Sequence, residues 1–255
     1  MMLTMEEKNS LIKRAVELII NAKYLTALTG AGISAESGIP TFRGKNGLWK
    51  RFRAEELATP EAFLKNPKLV WEWYKWRMEI IHKAKPNDAH LCLAKLEEFG
   101  LLKMLITQNV DGLHIKAGSS NVIELHGNIW RARCTHCGFH IAFNNPPNNV
   151  PVTCPECGKL MRPDVVWFGE PIPRDALDRA FECAFKSDVM LVIGTSLLVQ
   201  PAASLPFIVL RNNGKVIEIN TSNTILTRKA TVFINQKATE AMKMICEEIN
   251  KIMSQ

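Results

Sequence analysis

Short apolar runs alternate with amphipathic stretches along most of this 255-residue chain. The runs, each four or five residues long and mostly apolar, cover 24–28, 103–106, 122–125, 189–193, 216–219 and 231–234. Runs of this length between helical stretches are typical of strands that a parallel sheet buries on both faces. Helical spacing of apolar residues predicts an opening helix over 11–20 and a closing helix over 239–252. The pattern therefore predicts the α/β class, with a Rossmann-like parallel sheet.

Two stretches interrupt this alternation. Residues 45–83 are rich in tryptophan and helical in pattern, with Thr59 and Pro60 as a helix start signal. Residues 128–168 hold two pairs of cysteines. We therefore expect a smaller inserted domain made of a helical module and a zinc-binding module. The predicted division assigns 1–44, 86–127 and 169–255 to the Rossmann-like domain, 45–85 to the helical module and 128–168 to the zinc-binding module.

The zinc-binding module carries the most specific chemical signal in the sequence, a C-x2-C pair followed after sixteen residues by a second pair. These cysteines are Cys134, Cys137, Cys154 and Cys157. Four thiolates on knuckle turns form a tetrahedral set of soft ligands, which suits one Zn²⁺ ion and leaves no open position for substrate. We therefore expect the metal to be structural. Two redox disulfides are the alternative, and a reducing cytosol disfavours them.

Glycines and polar residues follow directly after most of the predicted strands. They are Gly30, Ala31 and Gly32; Gln108, Asn109, Val110 and Asp111; His126; Gly194, Thr195 and Ser196; and Asn220, Thr221 and Ser222. Open α/β sheets bind ligands in the crevice beyond the carboxyl ends of their strands. We therefore expect these segments, distant in sequence, to meet at one site.

The segment after the first strand has the G-x-G-x-x-A pattern of dinucleotide-binding folds. Residues 30–35 read GAGISA, and such glycines let the backbone approach a pyrophosphate at a helix N-terminus. The continuation SGIP at 37–40 stops any regular helix, which places Phe42 and Arg43 on a loop beside the phosphates. No acidic residue ends a second strand about 20 residues later, as hydride-transferring enzymes of this fold require. The sequence therefore predicts a bound dinucleotide without the usual dehydrogenase geometry.

His126 ends a predicted strand and is a candidate general base, because the pKa of histidine lies near working pH. A lone histidine is more often structural. Gln108, Asn109 and Asp111 carry groups suited to ribose hydroxyls and a carboxamide, and their alternative role is an Asx turn at a strand end. Because all four residues are expected at the same edge of the sheet, we favour the catalytic interpretation.

Composition adds limits on location and partners. The chain is 47% hydrophobic and 22% charged, with 32 basic and 25 acidic residues and a formal net charge of +7. No apolar run approaches the roughly 18 residues of a membrane span, and no apolar signal segment opens the chain. We expect a cytoplasmic protein with no membrane association. The charge fits an acidic ligand or, since no long basic run occurs, a solvated lysine-rich surface, which we favour.

Six motifs in one order resemble the sirtuin family of NAD-dependent protein lysine deacylases. They are GAGISAESGIPTFRG at 30–44, TQNVDGLH at 107–114, ELHG at 124–127, the four cysteines, VVWFGE at 165–170 and GTSL at 194–197. The resemblance covers nearly the whole chain. It implies that NAD is consumed as a co-substrate, that an acyl group leaves a modified lysine, and that the products are nicotinamide, O-acyl-ADP-ribose and free lysine.

The resemblance also implies a role for individual residues. His126 matches the base that activates a ribose hydroxyl, and Asn109 matches the residue that orders the ribose and the reacting water. The matched cofactor-binding residues are Gly30, Ala31, Gly32, Ser34, Ala35, Thr41, Phe42, Arg43, Trp49, Gln108, Asn109, Val110, Asp111, Gly194, Thr195, Ser196, Asn220, Thr221, Ser222 and Ala238. The matched peptide-binding residues are Val166, Phe168 and Gly169. We expect residues 32–44 to form a mobile lid over the cofactor.

The acyl specificity is suggested by two residues of the helical module. Tyr74 and Arg77 lie three apart and share a helix face, so that a hydroxyl and a guanidinium can grip a distal carboxylate. This pair is similar to the Tyr-x-x-Arg pair of sirtuins that remove succinyl and malonyl groups, and Ala58 matches the small residue that widens their acyl pocket. The alternative is that both side chains only pack and cap within the module.

Two other functions compete with the deacylase. One is a protein ADP-ribosyltransferase that uses the same NAD site. The other is a chromatin or nucleic-acid binding module built around the cysteines, with Arg131, Arg133, Lys159 and Arg162 nearby. The expected partners are acyl-lysine proteins, a chromatin protein among the candidates, and direct nucleic-acid binding is not required. We expect a monomeric, compact enzyme of prokaryotic type.

Overall fold

The computed structural model describes residues 4–43, 47–50 and 52–254. Gly44, where the predicted lid ends, lies outside the described residues, as do the predicted domain boundary at 44–45 and the chain ends at 1–3 and 255.

The chain forms nine strands and nine α-helices in its described part. The strands are β1 (Leu25–Thr29), β2 (Leu102–Thr107), β3 (Val122–Glu124), β4 (Gly127–Cys134), β5 (His140–Ala142), β6 (Met161–Val165), β7 (Val189–Ile193), β8 (Lys215–Ile219) and β9 (Val232–Ile234). The α-helices are α1 (Met5–Ile20), α2 (Ala54–Leu57), α3 (Pro60–Lys65), α4 (Pro67–Lys83), α5 (Asp88–Glu98), α6 (Leu113–Lys116), α7 (Arg174–Lys186), α8 (Leu205–Arg211) and α9 (Ala238–Met253). Short 3-10 helices cover Ala31–Ser37, Leu48–Lys50 and Ala202–Ser204.

The larger sheet has six strands in the order β3-β2-β1-β7-β8-β9, and every pair of neighbours is parallel. All six predicted apolar runs are strands of this sheet, so the predicted fold class is confirmed. The chain moves outward in opposite directions from β1 and β7, which lie side by side. The carboxyl ends of these two central strands therefore border the crevice where Rossmann-like folds bind ligands.

Each face of this sheet is covered by its own apolar core. Alternate strand residues point to opposite faces, so that Ala27 packs toward α1, α5 and α9 whereas Leu28 packs toward α7 and α8. Burial on both faces explains why the strands carry continuous apolar runs.

The rest of the chain builds a second, smaller layer. Helices α2 to α4 pack against an antiparallel sheet of order β5-β4-β6, and the Trp71 indole nitrogen donates a hydrogen bond of 2.8 Å to the Met161 carbonyl. Thr59 caps α3, as predicted, because its hydroxyl accepts a hydrogen bond from the Ala62 N–H at 3.1 Å. This antiparallel sheet was not predicted from the sequence pattern.

None of the helices in the described part of the chain is long and apolar enough to cross a membrane.

Candidate active site

A cavity of about 1090 Å³ lies between the carboxyl ends of the large sheet and the smaller layer. Most of the predicted site residues line it. They are Gly30, Ala31, Gly32, Thr41, Phe42, Arg43, Trp49, Ala58, Tyr74, Arg77, Gln108, Asn109, Val110, His126, Val166, Phe168, Gly169, Gly194, Thr195, Ser196, Asn220, Thr221 and Ser222. Four of the predicted cofactor-binding residues, Ser34, Ala35, Asp111 and Ala238, do not line the cavity.

The floor between the two central strands is made of backbone. The Gly32 N–H donates a hydrogen bond of 2.8 Å to the Gly194 carbonyl, and Gly194 has a φ of +61°. A Cβ atom on Gly32 would lie 2.7 Å from the Gly194 Cα, and one on Gly194 would lie 2.4 Å from the Ile33 nitrogen. Only glycine fits at these two positions. The approach of this backbone to a pyrophosphate stays a prediction.

Asn109 is anchored at this floor through its nitrogen atoms. Its Nδ2 donates to the Gly30 carbonyl at 3.1 Å and to the Ser34 hydroxyl at 3.2 Å, and its backbone N–H donates to the Thr107 hydroxyl at 3.0 Å. These bonds fix the amide, because an amide nitrogen can only donate. The Oδ1 atom of Asn109 makes no hydrogen bond within the described residues and can accept one from a ligand or water.

Ser34 and Asp111 support Asn109 from behind the cavity wall. The Ser34 hydroxyl donates to the Asp111 Oδ2 atom at 2.8 Å, and the Leu113 N–H donates to Asp111 Oδ1 at 2.9 Å. Burial raises the pKa of Asp111, while these hydrogen bonds and the positive charge of Arg77 oppose that shift. In the structure, Asp111 braces the site and does not face the cavity.

Two buried histidines belong to this support and were not predicted. The Nε2 atom of His90 lies 3.3 Å from the Ser34 hydroxyl, and that of His114 lies 2.9 Å from the Thr29 hydroxyl. Burial lowers the pKa of His90 to about 4 and the pKa of His114 well below its usual value. The sequence carries one signal for the position of His90, because Asn87 and His90 have the spacing of a capping box and form one at the start of α5.

His126 has the geometry of a general base. Its Nδ1 atom lies 3.0 Å from the Gln108 carbonyl, which can only accept, so Nδ1 carries the hydrogen and Nε2 is the basic nitrogen. The Val166 N–H donates to the His126 carbonyl at 2.9 Å and holds its backbone. Burial lowers the pKa of His126, and the bond to Gln108 opposes this shift. The imidazole is therefore neutral and able to accept a proton at neutral pH.

Aromatic side chains form the side of the cavity opposite the sheet. The ring of Trp49 lies 5.2 Å from that of Phe42, 5.7 Å from that of Trp73 and 6.0 Å from that of Phe168, measured between centroids. The Trp49 N–H donates to the Phe42 carbonyl at 3.1 Å. These contacts join the loop after the first strand to α4 and to the 165–170 segment.

Arg77 is a buried cation in the wall of the cavity. It is 8% exposed, and its Cζ atom lies 4.9 Å from the ring centroids of both Phe42 and Trp73. Within the described residues, Arg77 forms no ion pair and no side-chain hydrogen bond. Burial lowers the pKa of Arg77, and nearby Tyr74 and Asp111 oppose that shift. A guanidinium held this way favours an anionic group in the adjoining space.

The 165–170 segment is held by an ion pair that was not predicted. Arg162 is 7% exposed, and its Nη2 atom donates to Glu170 Oε2 at 2.8 Å while its Cζ lies 3.4 Å from the centroid of the Trp167 ring. The Trp167 N–H donates to the same Glu170 oxygen at 2.9 Å. Phe168, 43% exposed, remains at the mouth of the cavity.

The four predicted cysteines converge away from the cavity. Their sulfur atoms all lie within 4.8 Å of one another, with 3.5 Å between Cys134 and Cys157 and 3.7 Å between Cys137 and Cys154. Zn–S bonds of about 2.3 Å would separate the sulfurs of a tetrahedral site by about 3.8 Å. The Cys137 and His136 N–H groups point at the Cys134 sulfur and lower the pKa of this thiol to about 6. The cluster suits one structural zinc ion.

The Sir2 family model matches residues 30–201, two thirds of the chain. This chain belongs to the Sir2 family. It is 54% identical to an NAD-dependent protein deacylase of Thermococcus kodakarensis over 252 residues, which cover 96% of this chain and 98% of that protein. An NAD-dependent protein deacylase of Pyrococcus abyssi is 52% identical over 249 residues, covering 95% of this chain and all of that protein.

Solved Sir2 structures agree with this chain in fold and supply ligands for comparison. A mutant Sir2 homologue in complex with ADP ribose matches with a TM-score of 0.93 and 52% identity, covering 95% of this chain and 98% of the other. A Sir2 homologue in complex with NAD matches with a TM-score of 0.90 and 52% identity, covering 94% of both chains. A Sir2 protein with a deacetylated p53 peptide and 3′-O-acetyl ADP ribose matches with a TM-score of 0.87 and 38% identity, covering 93% and 98%. The Sir2 fold of this chain therefore suits NAD.

Proposed function

We propose that this protein is an NAD-dependent protein lysine deacylase that removes succinyl and malonyl groups as well as acetyl groups. The observation that supports the acyl preference is the buried Arg77 guanidinium, which lines the cavity without a carboxylate partner in the described part of the chain. A distal carboxylate on the acyl group would supply this missing partner. A neutral acetyl group would not.

Tyr74 adds a hydroxyl to the same wall. Its oxygen accepts a hydrogen bond of 2.9 Å from the Trp167 indole nitrogen, so its own proton is available to an acyl carboxylate. Burial raises the pKa of Tyr74 and keeps the phenol protonated. Ala58 lines the cavity with a methyl side chain and leaves room for a longer acyl chain, while its carbonyl accepts from the Phe168 N–H at 2.9 Å.

The rest of the site fits the reaction in which the acyl group passes to ADP-ribose. NAD, when bound, supplies the ribose carbon that accepts the acyl oxygen, with nicotinamide as the leaving group. Gly30, Ala31 and Gly32 would hold the pyrophosphate, and Asn109 would order the ribose and a water through its free Oδ1 atom. Gly194, Asn220, Thr221 and Ser222 would lie on the adenosine side. His126 would take the proton of a ribose hydroxyl at Nε2. The aromatic side chains of Phe42 and Trp49 would exclude water from the reacting bond.

The remaining cofactor and substrate assignments from the resemblance are kept as part of this proposal. Ser34 and Asp111 would support the cofactor site from behind the cavity wall. Ala35 and Ala238 would contribute to the cofactor site from positions that do not line the cavity. The proposed protein partner is a chain that carries an acylated lysine. A chromatin protein as substrate, a monomeric state and a cytoplasmic location stay predictions.

Product analysis tests the reaction class. Incubation with NAD and either an acetyl-lysine or a succinyl-lysine peptide should release nicotinamide only when the peptide is present, and mass spectrometry should detect O-acyl-ADP-ribose and free lysine. Nicotinamide release without acyl peptide, with ADP-ribose attached to protein, would instead identify the ADP-ribosyltransferase alternative.

The Arg77→Met variant tests the acyl preference. We expect its KM for the succinyl peptide to rise about tenfold or more, since a charge-assisted pair with the acyl group is lost. Its KM for the acetyl peptide should change by less than about twofold. The Arg53→Met variant is the matched control, because it removes a 75% exposed guanidinium from the same helical module. Equal losses on both peptides in Arg77→Met would refute the preference.

A further inference from the structure

Glu218 is a charged residue inside the apolar core of the large sheet. It lies in β8 between Val192 of β7 and Phe233 of β9, and only 1% of it is exposed. It points to the same face as Val216, which packs in the core beneath α7 and α8. A buried carboxylate costs several kcal/mol of desolvation unless hydrogen bonds satisfy its oxygens. The presence of a carboxylate in the core of this sheet therefore requires an explanation.

Both oxygens of Glu218 bind the segment that follows β8. The Thr224 hydroxyl donates to Oε1 at 2.5 Å, and the Thr227 hydroxyl donates to Oε2 at 2.8 Å. Each hydroxyl in turn accepts a backbone N–H, Thr224 from Leu226 at 3.0 Å and Thr227 from Thr224 at 2.9 Å. The carboxylate thus closes a ring of hydrogen bonds that fixes the backbone from 224 to 227.

The same segment forms one wall of the cavity. Residues 220–225 line it, and the Asn220 Nδ2 atom donates to the Thr195 carbonyl at 2.8 Å. Leu226 is fully buried in the core that also contains Val216. The exposed residues Thr221 and Ser222 are therefore held between two fixed points, Asn220 at the end of β8 and the ring at 224–227.

We propose that Glu218 is a positioning residue for NAD, and that it acts through Thr224 and Thr227 to hold the 220–227 segment in the conformation that binds the adenosine half. This rests on the proposed function, which keeps Asn220, Thr221 and Ser222 as cofactor-binding residues, because the family resemblance matches them to the adenosine side of NAD. An apolar residue at 218 would pack in the sheet equally well, but the 224–227 backbone would lose the hydrogen bonds that Glu218 accepts from Thr224 and Thr227. The carboxylate is therefore explained by ligand binding and not by the stability of the strand.

Thr227 offers the sharpest test, because it holds the ring without lining the cavity. Thr227→Val keeps the side-chain shape and removes the hydroxyl, whereas Thr227→Ser keeps the hydroxyl. We expect Thr227→Val to raise the Kd for ADP-ribose, measured by calorimetry, about tenfold, with an equal rise in KM for NAD and little change in kcat. Thr227→Ser should stay within about twofold of the unaltered protein. Glu218→Gln, which keeps one acceptor oxygen, should fall between them.

Val216→Ala controls for simple loss of stability, because Val216 is fully buried on the same strand and face. It should lower the Tm without raising the Kd for ADP-ribose. Amide hydrogen exchange over 220–227 should accelerate in Thr227→Val and not in Val216→Ala. An unchanged Kd in Thr227→Val, beside clear binding by the unaltered protein, overturns the inference alone. Failure of the unaltered protein to bind ADP-ribose overturns the proposed function and this inference with it.

Discussion

The indole nitrogen of Trp167 lies 2.9 Å from the phenol oxygen of Tyr74 and donates a hydrogen bond to it. An indole N–H can only donate, so this bond occupies an acceptor position of the phenol and leaves the phenol proton unused. The cation of Arg162 lies over the face of the Trp167 ring and helps to fix the indole. A residue of the 165–170 segment thereby sets the direction in which Tyr74 can donate.

The Trp167→Phe variant removes this donor and keeps an aromatic ring over Arg162. We expect it to raise KM for a succinyl peptide about threefold to tenfold, because the phenol can then turn its proton away from the acyl group. KM for an acetyl peptide should change little. Steady-state kinetics on the two peptides measure the difference. Trp76→Phe, at a 37% exposed position on the same helix as Tyr74, is the control, and a similar loss on both peptides by Trp167→Phe would contradict the prediction.

His126→Tyr should abolish turnover and leave the fold intact. The phenol cannot take up a proton as the neutral Nε2 atom can, so we expect kcat to fall at least about a hundredfold. Circular dichroism and zinc content should match those of the unaltered protein. Retained activity in this variant would exclude His126 as the base.

On the acid side, activity should fall only at pH values below the usual pKa of histidine. The base acts in its neutral form, and burial lowers the pKa of His126, so the neutral form persists as pH falls through 6.5. We therefore expect kcat/KM to decline only at a pH below 6.5. A decline centred above pH 7 would show that the imidazole is more easily protonated than its surroundings imply.

Stability should also fall on acidification, because the structure holds His90 and His114 buried and His126 half-buried, each with a lowered pKa. Their pKa values in the folded protein lie below the unfolded value of 6.5, so the unfolded chain binds more protons as pH falls below it. Their contribution is complete above pH 6.5 and is lost as pH falls toward 4, amounting to about 3 kcal/mol for His90. Tm measured between pH 7 and pH 4 checks this. A Tm that stays constant over this range would contradict the prediction.

Zinc should be bound in one equivalent and be required for the fold of the smaller layer. Cys154→Ser removes a buried ligand, and we expect loss of the metal and a drop in the free energy of unfolding of several kcal/mol. Metal analysis and thermal unfolding measure both effects. Cys183→Ser, which alters a buried thiol outside the cluster, should keep its zinc. Full zinc content in Cys154→Ser would contradict the assigned ligand set.

The large sheet could be predicted because each of its strands leaves a pattern in a short stretch of sequence. Burial on both faces forces continuous apolar runs, and parallel order sends the residues after each run to one edge. The sequence pattern therefore predicts that Asn109, His126 and Gly194 meet at one site. The zinc ligands were predictable for a similar reason, since two tight turns fix their spacing.

The antiparallel sheet and the supports behind the site were not predictable in this way. Strands β4 and β6 carry Arg131, Arg133 and Arg162 and lack the apolar runs that revealed the large sheet. The contact between Ser34 and His90 forms only when the chain folds, and so does the ring of hydrogen bonds around Glu218. The sequence does not show whether a polar side chain is buried or exposed, so neither contact could be predicted. Asp111 shows the same limit, because the sequence placed it in the site and the structure places it behind the wall.

The distribution of tryptophan gives the smaller layer a spectroscopic label of its own. All six tryptophans, Trp49, Trp71, Trp73, Trp76, Trp130 and Trp167, lie between 49 and 167, outside the six strands of the large sheet. Trp49 and Trp73 stack on each other at the cavity, and Trp167 touches Tyr74. Tryptophan fluorescence of the unlabelled protein therefore reports on the Tyr74 side of the cavity and on the smaller layer, because none of the strands of the large sheet contains a tryptophan.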